Sequence, residues 1–354
     1  MSFLSEYGLF LAKTVTVLVA VAAVLVIAAT VGARAVRQSG RLGRPGRPGL
    51  QVTDLNRRYE DLGQSLRLAM LPGKAAKAQA KALAKTRKAE SKARPAADGA
   101  ASERARVFVL DFHGDVRATQ VGGLREEISA IVTVARPGDE VLVRLSNPGG
   151  TVNDQGLAAA QLARIRSGGI RLTVAVDTMA ASGGYMMACV ADRILAAPFA
   201  IVGSIGVVAQ IPNVYRLLDR GGVDYEQFTA GEFKRTVTPF TKTTDEARAK
   251  LSSQIADTHT LFKEFVAAQR PQLDIESVAT GEYWYGSQAL ELGLVDELIT
   301  SDDYLLRRRD EADLYEVTFS EGRSMGRRLG SLLQSALAPW SSSAPVQPLS
   351  ARLP

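Results

Sequence analysis

Histidine and cysteine are almost missing from this chain. Two histidines, His113 and His259, and one cysteine, Cys189, are all that its 354 residues supply. One thiol cannot build an intrachain disulfide framework, and nothing in so short a supply stands at zinc-ligand spacing, which argues against a metal enzyme. A hydrolytic serine relying on imidazole would have only two candidates for its base, so a lysine becomes the main alternative. Cys189 falls in an apolar helical run from Tyr185 to Ala191, where a small buried thiol is expected. His113 closes a strand pattern and His259 lies mid-helix near Phe262, so both are read as structural.

Charge is present but unevenly placed. The formal net charge is +6. Between Arg34 and Arg106 there are eighteen Lys/Arg against six Asp/Glu, a net of +12, which leaves about −6 for the rest of the chain. The basicity belongs to one segment and not to the folded body, so nucleic acid is not an expected partner. Ahead of that segment, no residue from Thr14 to Val31 is charged. At about 1.5 Å per residue this run covers roughly 27 Å, close to a bilayer core. It is read as an uncleaved transmembrane anchor within residues 1–33, in contact with the lipid bilayer. A cleavable signal peptide is the competing reading, because Ala33-Arg34-Ala35 has small residues in the positions before a cleavage site. The anchor is preferred because the run exceeds a typical signal core and no basic segment precedes it. Arg34, Arg37, Arg41, Arg44 and Arg47 follow the run, and the positive-inside rule would place that flank in the cytoplasm.

Residues 34–104 are read as a basic, Ala/Lys-rich linker or stalk. Within it, Leu55, Tyr59, Leu62, Leu66 and Met70 recur at three- and four-residue steps and predict a short packing helix, which Pro72-Gly73 would end. Lys74 to Arg94 can be helical but has almost no large apolar residue with which to build a core. It is expected to be solvated in preference to touching anionic headgroups. A folded domain is expected over 105–320, followed by a frayed tail over 321–354 that is rich in Ser, Pro, Leu and Arg.

Inside that domain short β-branched runs alternate with helical patterns. Val107 to Phe112, Glu140 to Leu145, Ile170 to Val176 and Arg193 to Ala197 read as buried strands. Gly123 to Ala135, Val152 to Arg166 and Ser182 to Val190 read as the helices between them. Val223 to Thr229 is strand-like, Asp245 to Gln269 predicts one long helix, and Tyr285 to Leu298 predicts a shorter helix turning at Gly293 into a strand. Repeated βα and ββα units imply an α/β fold with ligands at the carboxyl ends of its strands.

Three short segments concentrate the chemistry. Ser146-Asn147-Pro148-Gly149-Gly150-Thr151 follows a strand and opens a helix, so its glycines can present backbone N–H groups to an oxyanion. A plain strand-to-helix turn would look the same. Ser182, followed by Gly183 and Gly184, stands where a helix begins. It could be an ordinary N-cap, but two glycines in a first turn weaken a helix by up to roughly 1 kcal/mol each and favour close approach of a substrate backbone. Gly231-Glu232-Phe233-Lys234-Arg235 offers a lysine that could act as a base if desolvation or neighbouring positive charge lowered its pKa.

These segments, with Ala180-Ala181 before Ser182, Gly203-Ser204-Ile205-Gly206-Val207, Gly281-Glu282-Tyr283-Trp284 and Gly293-Leu294-Val295-Asp296-Glu297, resemble the signal peptide peptidase A family of serine peptidases, S49. The resemblance runs in order from about Val107 to Thr300. It implies a ClpP/crotonase-like spiral of ββα units and a Ser/Lys dyad needing no cofactor. Carried over by position, Ser182 is the nucleophile, Lys234 the general base and Ser204 the residue that orients the lysine. Gly150 and Gly183 are the expected oxyanion donors. The family further implies peptide substrates such as spent signal peptides, a homo-oligomer whose active sites draw on adjacent subunits, and a catalytic domain outside the cytoplasm on a bacterial inner membrane. That placement opposes the charge rule, and we adopt it as the working expectation. A crotonase-like acyl-CoA enzyme and a non-catalytic peptide-binding scaffold share parts of the pattern.

Overall fold

The computed structural model describes residues 49–97 and 104–320. The run read as a membrane anchor, residues 34–48 of the linker and the tail beyond Ser320 lie outside them. Among the described residues no helix is long and apolar enough to cross a membrane.

In chain order the elements are β1 (Gly49–Asp54), α1 (Leu55–Ala69), α2 (Gly73–Ala97), β2 (Ala105–His113), α3 (Val121–Val134), β3 (Glu140–Ser146), α4 (Val152–Ser167), β4 (Arg171–Val176) and β5 (Met179–Ala181). There follow α5 (Gly183–Ala188), β6 (Arg193–Ala196), β7 (Ile201–Gly203), α6 (Tyr215–Arg220), α7 (Asp245–Gln269), α8 (Ile275–Val278) and β8 (Tyr283–Tyr285). The last are α9 (Gly286–Glu291), β9 (Glu297–Leu298), α10 (Ser301–Arg308) and β10 (Ala312–Ser320). Seven strands form one sheet in the order β1-β10-β2-β3-β4-β6-β9. All its pairings are parallel except β1 with β10. A smaller sheet has the order β5-β7-β8. This is the α/β class expected from the alternation of patterns.

Both faces of the large sheet are covered, which explains the unbroken apolar runs of its central strands. Phe108, Leu110 and Phe112 of β2 point into the larger core with Leu124, Ile128, Leu162 and Ile165 of α3 and α4. Val107 and Val109 point the other way, toward Leu55, Tyr304, Leu305 and Leu314. That second core is closed by a buried polar clamp. Glu140 accepts from the Thr173 and Tyr304 hydroxyls, each at 2.6 Å, and pairs with Arg308. Burial, together with the bond to Glu140, pushes the Tyr304 hydroxyl up to about 12, so it remains a donor throughout the neutral range.

Three expectations need correction. The folded sheet reaches back into the segment read as linker, because β1 pairs with β10 over six residues and the Asn56 amide donates to the carbonyls of Arg309 and Ala312. Strand β10, which the sequence reading passed over, supplies the partner. Val223 to Thr229 is not a strand: no sheet edge receives it, and its residues are exposed. Leu62, Leu66 and Met70, expected to pack, are 60%, 65% and 77% exposed, because only the first turn of α1 lies over the sheet.

Candidate active site

Strand β5 ends at Ala181 and the chain turns sharply at Ser182 into α5. Ser182 has φ +53° and ψ −117°, a conformation that side-chain-bearing residues rarely adopt and that stores on the order of 1–3 kcal/mol. Its side chain makes no capping bond to the helix, so the N-cap reading does not account for it. Such a backbone persists only where its surroundings hold it. Here the Ser182 N–H donates to the carbonyl of Gly203 at 2.8 Å, and the Ser182 carbonyl accepts from Met186 at 3.0 Å. Behind it α5 is wholly buried, and the Tyr185 hydroxyl is fixed on the carbonyl of Leu294 at 3.0 Å.

Ser204 occupies the equivalent place on the neighbouring strand. β5 and β7 are parallel with Ala181 opposite Gly203, so Ser182 and Ser204 leave adjacent strand ends in register, about one strand spacing of 4.8 Å apart. Ser204 also has a positive φ, +51°, and its N–H donates to the carbonyl of Glu282 at 2.7 Å. One piece of sheet thus places Ser204, the residue expected to orient the lysine, beside Ser182. His259 supports the same corner by a 3.2 Å contact to the carbonyl of Ile205, the structural role expected of it. Cys189 is buried with its thiol on the carbonyl of Met186, and burial pushes it far above the usual thiol range.

The glycine turn after β3 closes over Ser182. Asn147 bridges to Ala180, donating its N–H to Met179 and accepting from Ala181. The Asn147 side chain is fully buried. Its amide donates to Gln155 at 2.8 Å and its oxygen accepts the Gly149 N–H at 2.9 Å. Gln155 in turn donates to the carbonyl of Asp115 at 2.9 Å. The Gly149 N–H is therefore occupied, whereas those of Gly150 and Gly183 have no hydrogen-bond partner among the described residues. They belong to the two glycines that the resemblance implies as oxyanion donors. Gly149 has a different part, which the sequence did not disclose: a Cβ there would stand 2.8 Å from the Ser182 Cβ and 2.9 Å from the Gly183 nitrogen. Gly150 is pressed instead against Val116, whose carbonyl oxygen a Cβ would meet at 2.1 Å. Asn147, Gln155 and Val116 were likewise missed as supporting residues. The Asn-Pro-Gly-Gly string is visible in the sequence, but apart from Gln155 its contacts, Val116 on one side and Ala180 and Ala181 on the other, come from segments some thirty residues away.

No hydrogen bond joins Lys234 to Ser182 among the described residues. Lys234 lies on an irregular, solvent-exposed stretch between α6 and α7. Its N–H makes a turn contact to the carbonyl of Gly231 at 3.2 Å, and its side chain has no hydrogen bond or ion pair among the described residues. The same stretch carries Phe228 and Phe233 at 88% and 52% exposure, and Val208 before α6 and Leu217 within it are 78% and 71% exposed. A cavity of about 750 Å³ lies elsewhere, lined by Arg166, Arg171 and Asp192 near the start of β4, and includes none of these groups.

A serine in a strained turn, two unpaired N–H groups beside it and a second serine in register form an arrangement suited to acyl transfer. The comparisons with known proteins agree with that geometry. The model of the peptidase family S49 N-terminal region matches residues 2–162, and that of peptidase family S49 matches residues 164–315. "Probable protease SohB" of Haemophilus influenzae is 54% identical over 228 residues, which cover 64% of this chain and 65% of that protein. The chain thus spans a little under two thirds of that relative's length. "Putative protease MJ0651" of Methanocaldococcus jannaschii is 31% identical over 215 residues, covering 54% of this chain and 68% of that protein. Among solved structures, the 1510-N membrane protease specific for a stomatin homolog from Pyrococcus horikoshii matches at 13% identity with a TM-score of 0.38, over 65% of this chain and 99% of that one. On the family matches and the sequence relatives, the chain belongs to peptidase family S49.

Proposed function

We propose that this protein is a membrane-anchored serine endopeptidase that cleaves signal peptides or other small apolar peptides through a Ser/Lys dyad. The observation that carries the reading is Ser182 itself: held at φ +53° with no capping bond, and flanked by the unpaired N–H groups of Gly150 and Gly183. In the proposed cycle the Ser182 Oγ attacks the scissile carbonyl while the Lys234 Nζ takes its proton, and the oxyanion is received by Gly150 and Gly183. Collapse expels the amine, which takes the proton back from Lys234 and leaves an acyl-enzyme. Water, deprotonated by the same lysine, then releases the acid. Ser204 orients the lysine from its place beside Ser182.

The exposure of Lys234 favours assembly. A lysine serves as a base near neutral pH only when desolvated or set among positive charge. The apolar side chains on its stretch are the kind that a second copy of the chain would bury. We therefore assign the working site to a homo-oligomer in which Lys234 of one copy meets Ser182 of another, on a ClpP/crotonase-like framework. The uncharged run Thr14 to Val31 supplies a single-pass anchor in a bacterial inner membrane, with the catalytic domain on the periplasmic side. A reporter fused to the C-terminus tests that side.

Fluorophosphonate labelling of the full chain, with the modified peptide found by mass spectrometry, tests the nucleophile. Label at Ser182 is expected, and its absence there would favour a non-catalytic scaffold. Ser182→Ala and Lys234→Ala are each expected to lower kcat by about 10⁴-fold or more. Wild-type turnover in either variant would end the dyad reading. Mixing the two inactive variants is expected to restore activity if the site is shared between copies, and to restore none if both residues act within one chain.

A further inference from the structure

We infer that the consecutive helices α1 and α2 form a membrane-surface docking element, with an anionic phospholipid headgroup layer as its occupant. The stripe Leu55, Tyr59, Leu62, Leu66 and Met70 keeps to one side of α1. Leu55 at its start is 2% exposed, and Asn56 ties that end of the helix to β10. Beyond this turn the same stripe runs past the sheet, leaving Leu62, Leu66 and Met70 in solvent. Glu60 and Asp61 fall on the opposite side of the helix by the 100° step per residue, so the apolar stripe carries no acid.

The next helix adds charge of one sign. Lys74, Lys77, Lys81 and Lys85 of α2 are all exposed, and their steps of three, four and four residues place them on one face. No Asp or Glu occurs from Leu71 to Thr86. Exposed apolar side chains joined to a row of lysines match an interface of acyl boundary and anionic headgroups; a neutral protein surface would leave the lysines unmatched. Position along the chain agrees. Seventeen residues, among them Arg34, Arg37, Arg41, Arg44 and Arg47, separate the apolar run ending at Val31 from β1. Helix α1 is thus tethered by a short basic segment to whatever bilayer that run enters. On this reading the lysine segment takes the headgroup role in place of the solvated one expected from its composition. It draws on the proposed anchor only for proximity, and is independent of peptidase activity.

The test uses the full chain with Leu66→Cys carrying an environment-sensitive fluorophore; Cys189 is buried and does not compete for label. The protein is reconstituted into phosphatidylcholine vesicles with and without phosphatidylglycerol, and headgroup-level nitroxide lipid is the quencher. The expected result is blue-shifted, quenched emission in the anionic vesicles only. It should be reversed by 1 M salt, where screening shortens to about 3 Å, and lost when the four lysines are changed together to Gln. Emission typical of water in anionic vesicles that carry the protein would overturn the docking and leave the anchor standing. Failure of the chain to float with anionic vesicles would overturn both. Blue-shifted emission already present in the neutral vesicles and unquenched by the nitroxide lipid would assign the face to a second copy and also refute the proposal.

Discussion

Gly149→Ala tests most directly whether the glycine turn shapes the site around Ser182. Two effects are mixed in this substitution. Gly149 has φ +88°, where an L side chain costs about 1–2 kcal/mol. The new methyl would also lie 2.8 Å from the Ala181 oxygen and the Ser182 Cβ, and 2.9 Å from the Gly183 nitrogen. None of these is the loose end of a flexible chain, so overpacking adds about 1–3 kcal/mol. Gly138→Ala separates the two, because Gly138 has φ +92° with nothing within 4 Å of its Cβ. It should lose only the conformational part, about 1–2 kcal/mol, or a fall in Tm of roughly 2–8 °C, with full activity. Gly149→Ala should lose about 2–5 kcal/mol by the sum of the two terms. It should also lower kcat about 10²- to 10³-fold, the usual consequence of displacing one oxyanion donor, while KM moves little. Thermal unfolding and turnover of an apolar fluorogenic peptide, measured on both variants at a temperature where each is folded, supply the comparison. Wild-type kcat in Gly149→Ala would refute the placement of this turn against the nucleophile. Equal losses in the two variants would show that any strain at a glycine turn disables the protein.

The remaining predictions concern strain and buried charge. Ser182→Gly should be inactive yet more stable by about 0.5–2 kcal/mol, since it relieves about 1–3 kcal/mol of backbone strain and returns about 0.4–1 kcal/mol of chain entropy to the unfolded state. Ser182→Ala, which keeps the strained φ, should show no such gain in a denaturant melt. Asp139 is buried, which alone would raise its carboxyl, but bonds from Arg106 and from the N–H groups of Arg136 and Arg106 outweigh this and hold it below the usual range. Its stabilisation is present above the unfolded value and lost as pH falls through the lower folded one. Asp139→Asn should therefore cost about 3 kcal/mol at pH 7, with the gap closing in strong acid. Glu127 has the opposite sign. Burial raises it despite the 2.6 Å bond from the Phe319 N–H, and Asp111 adds to the rise. The folded state then holds a proton that the unfolded state gives up, so stability falls as pH rises from the ordinary carboxylate range to the raised folded value. Glu127→Gln should raise Tm by a few degrees at pH 7 and by nothing near pH 4; a penalty at neutral pH would contradict the assignment.

What was legible in the sequence is what the chain buries by itself. β2, β3 and β4 are covered on both faces, so their apolar runs are continuous, and α7 occupies Asp245–Gln269 as its pattern predicted, with Thr244 capping it through the Ala247 N–H. β1 and β10 escaped because their pairing joins segments more than 250 residues apart, and a half-exposed edge strand carries only a faint alternation. Val223 to Thr229 misled for the converse reason: β-branched and aromatic residues favour a strand only where a partner edge exists. The site divides along the same line. Ser182 and its glycines announced themselves by local composition, since a strained turn and close backbone approach need small residues in sequence. The pressure of Gly149 on Ser182 is a contact between distant segments, and the Asn147–Gln155 bond, eight residues apart, forms only once the turn and α4 are folded; neither leaves a local signature. Lys234 was found through motif order alone. Its neighbours Phe228 and Phe233 face solvent in a single chain, so no burial pattern of that chain could mark it. A base whose desolvation comes from another copy would leave this record: exposed apolar residues without periodicity, on a stretch outside any helix or strand.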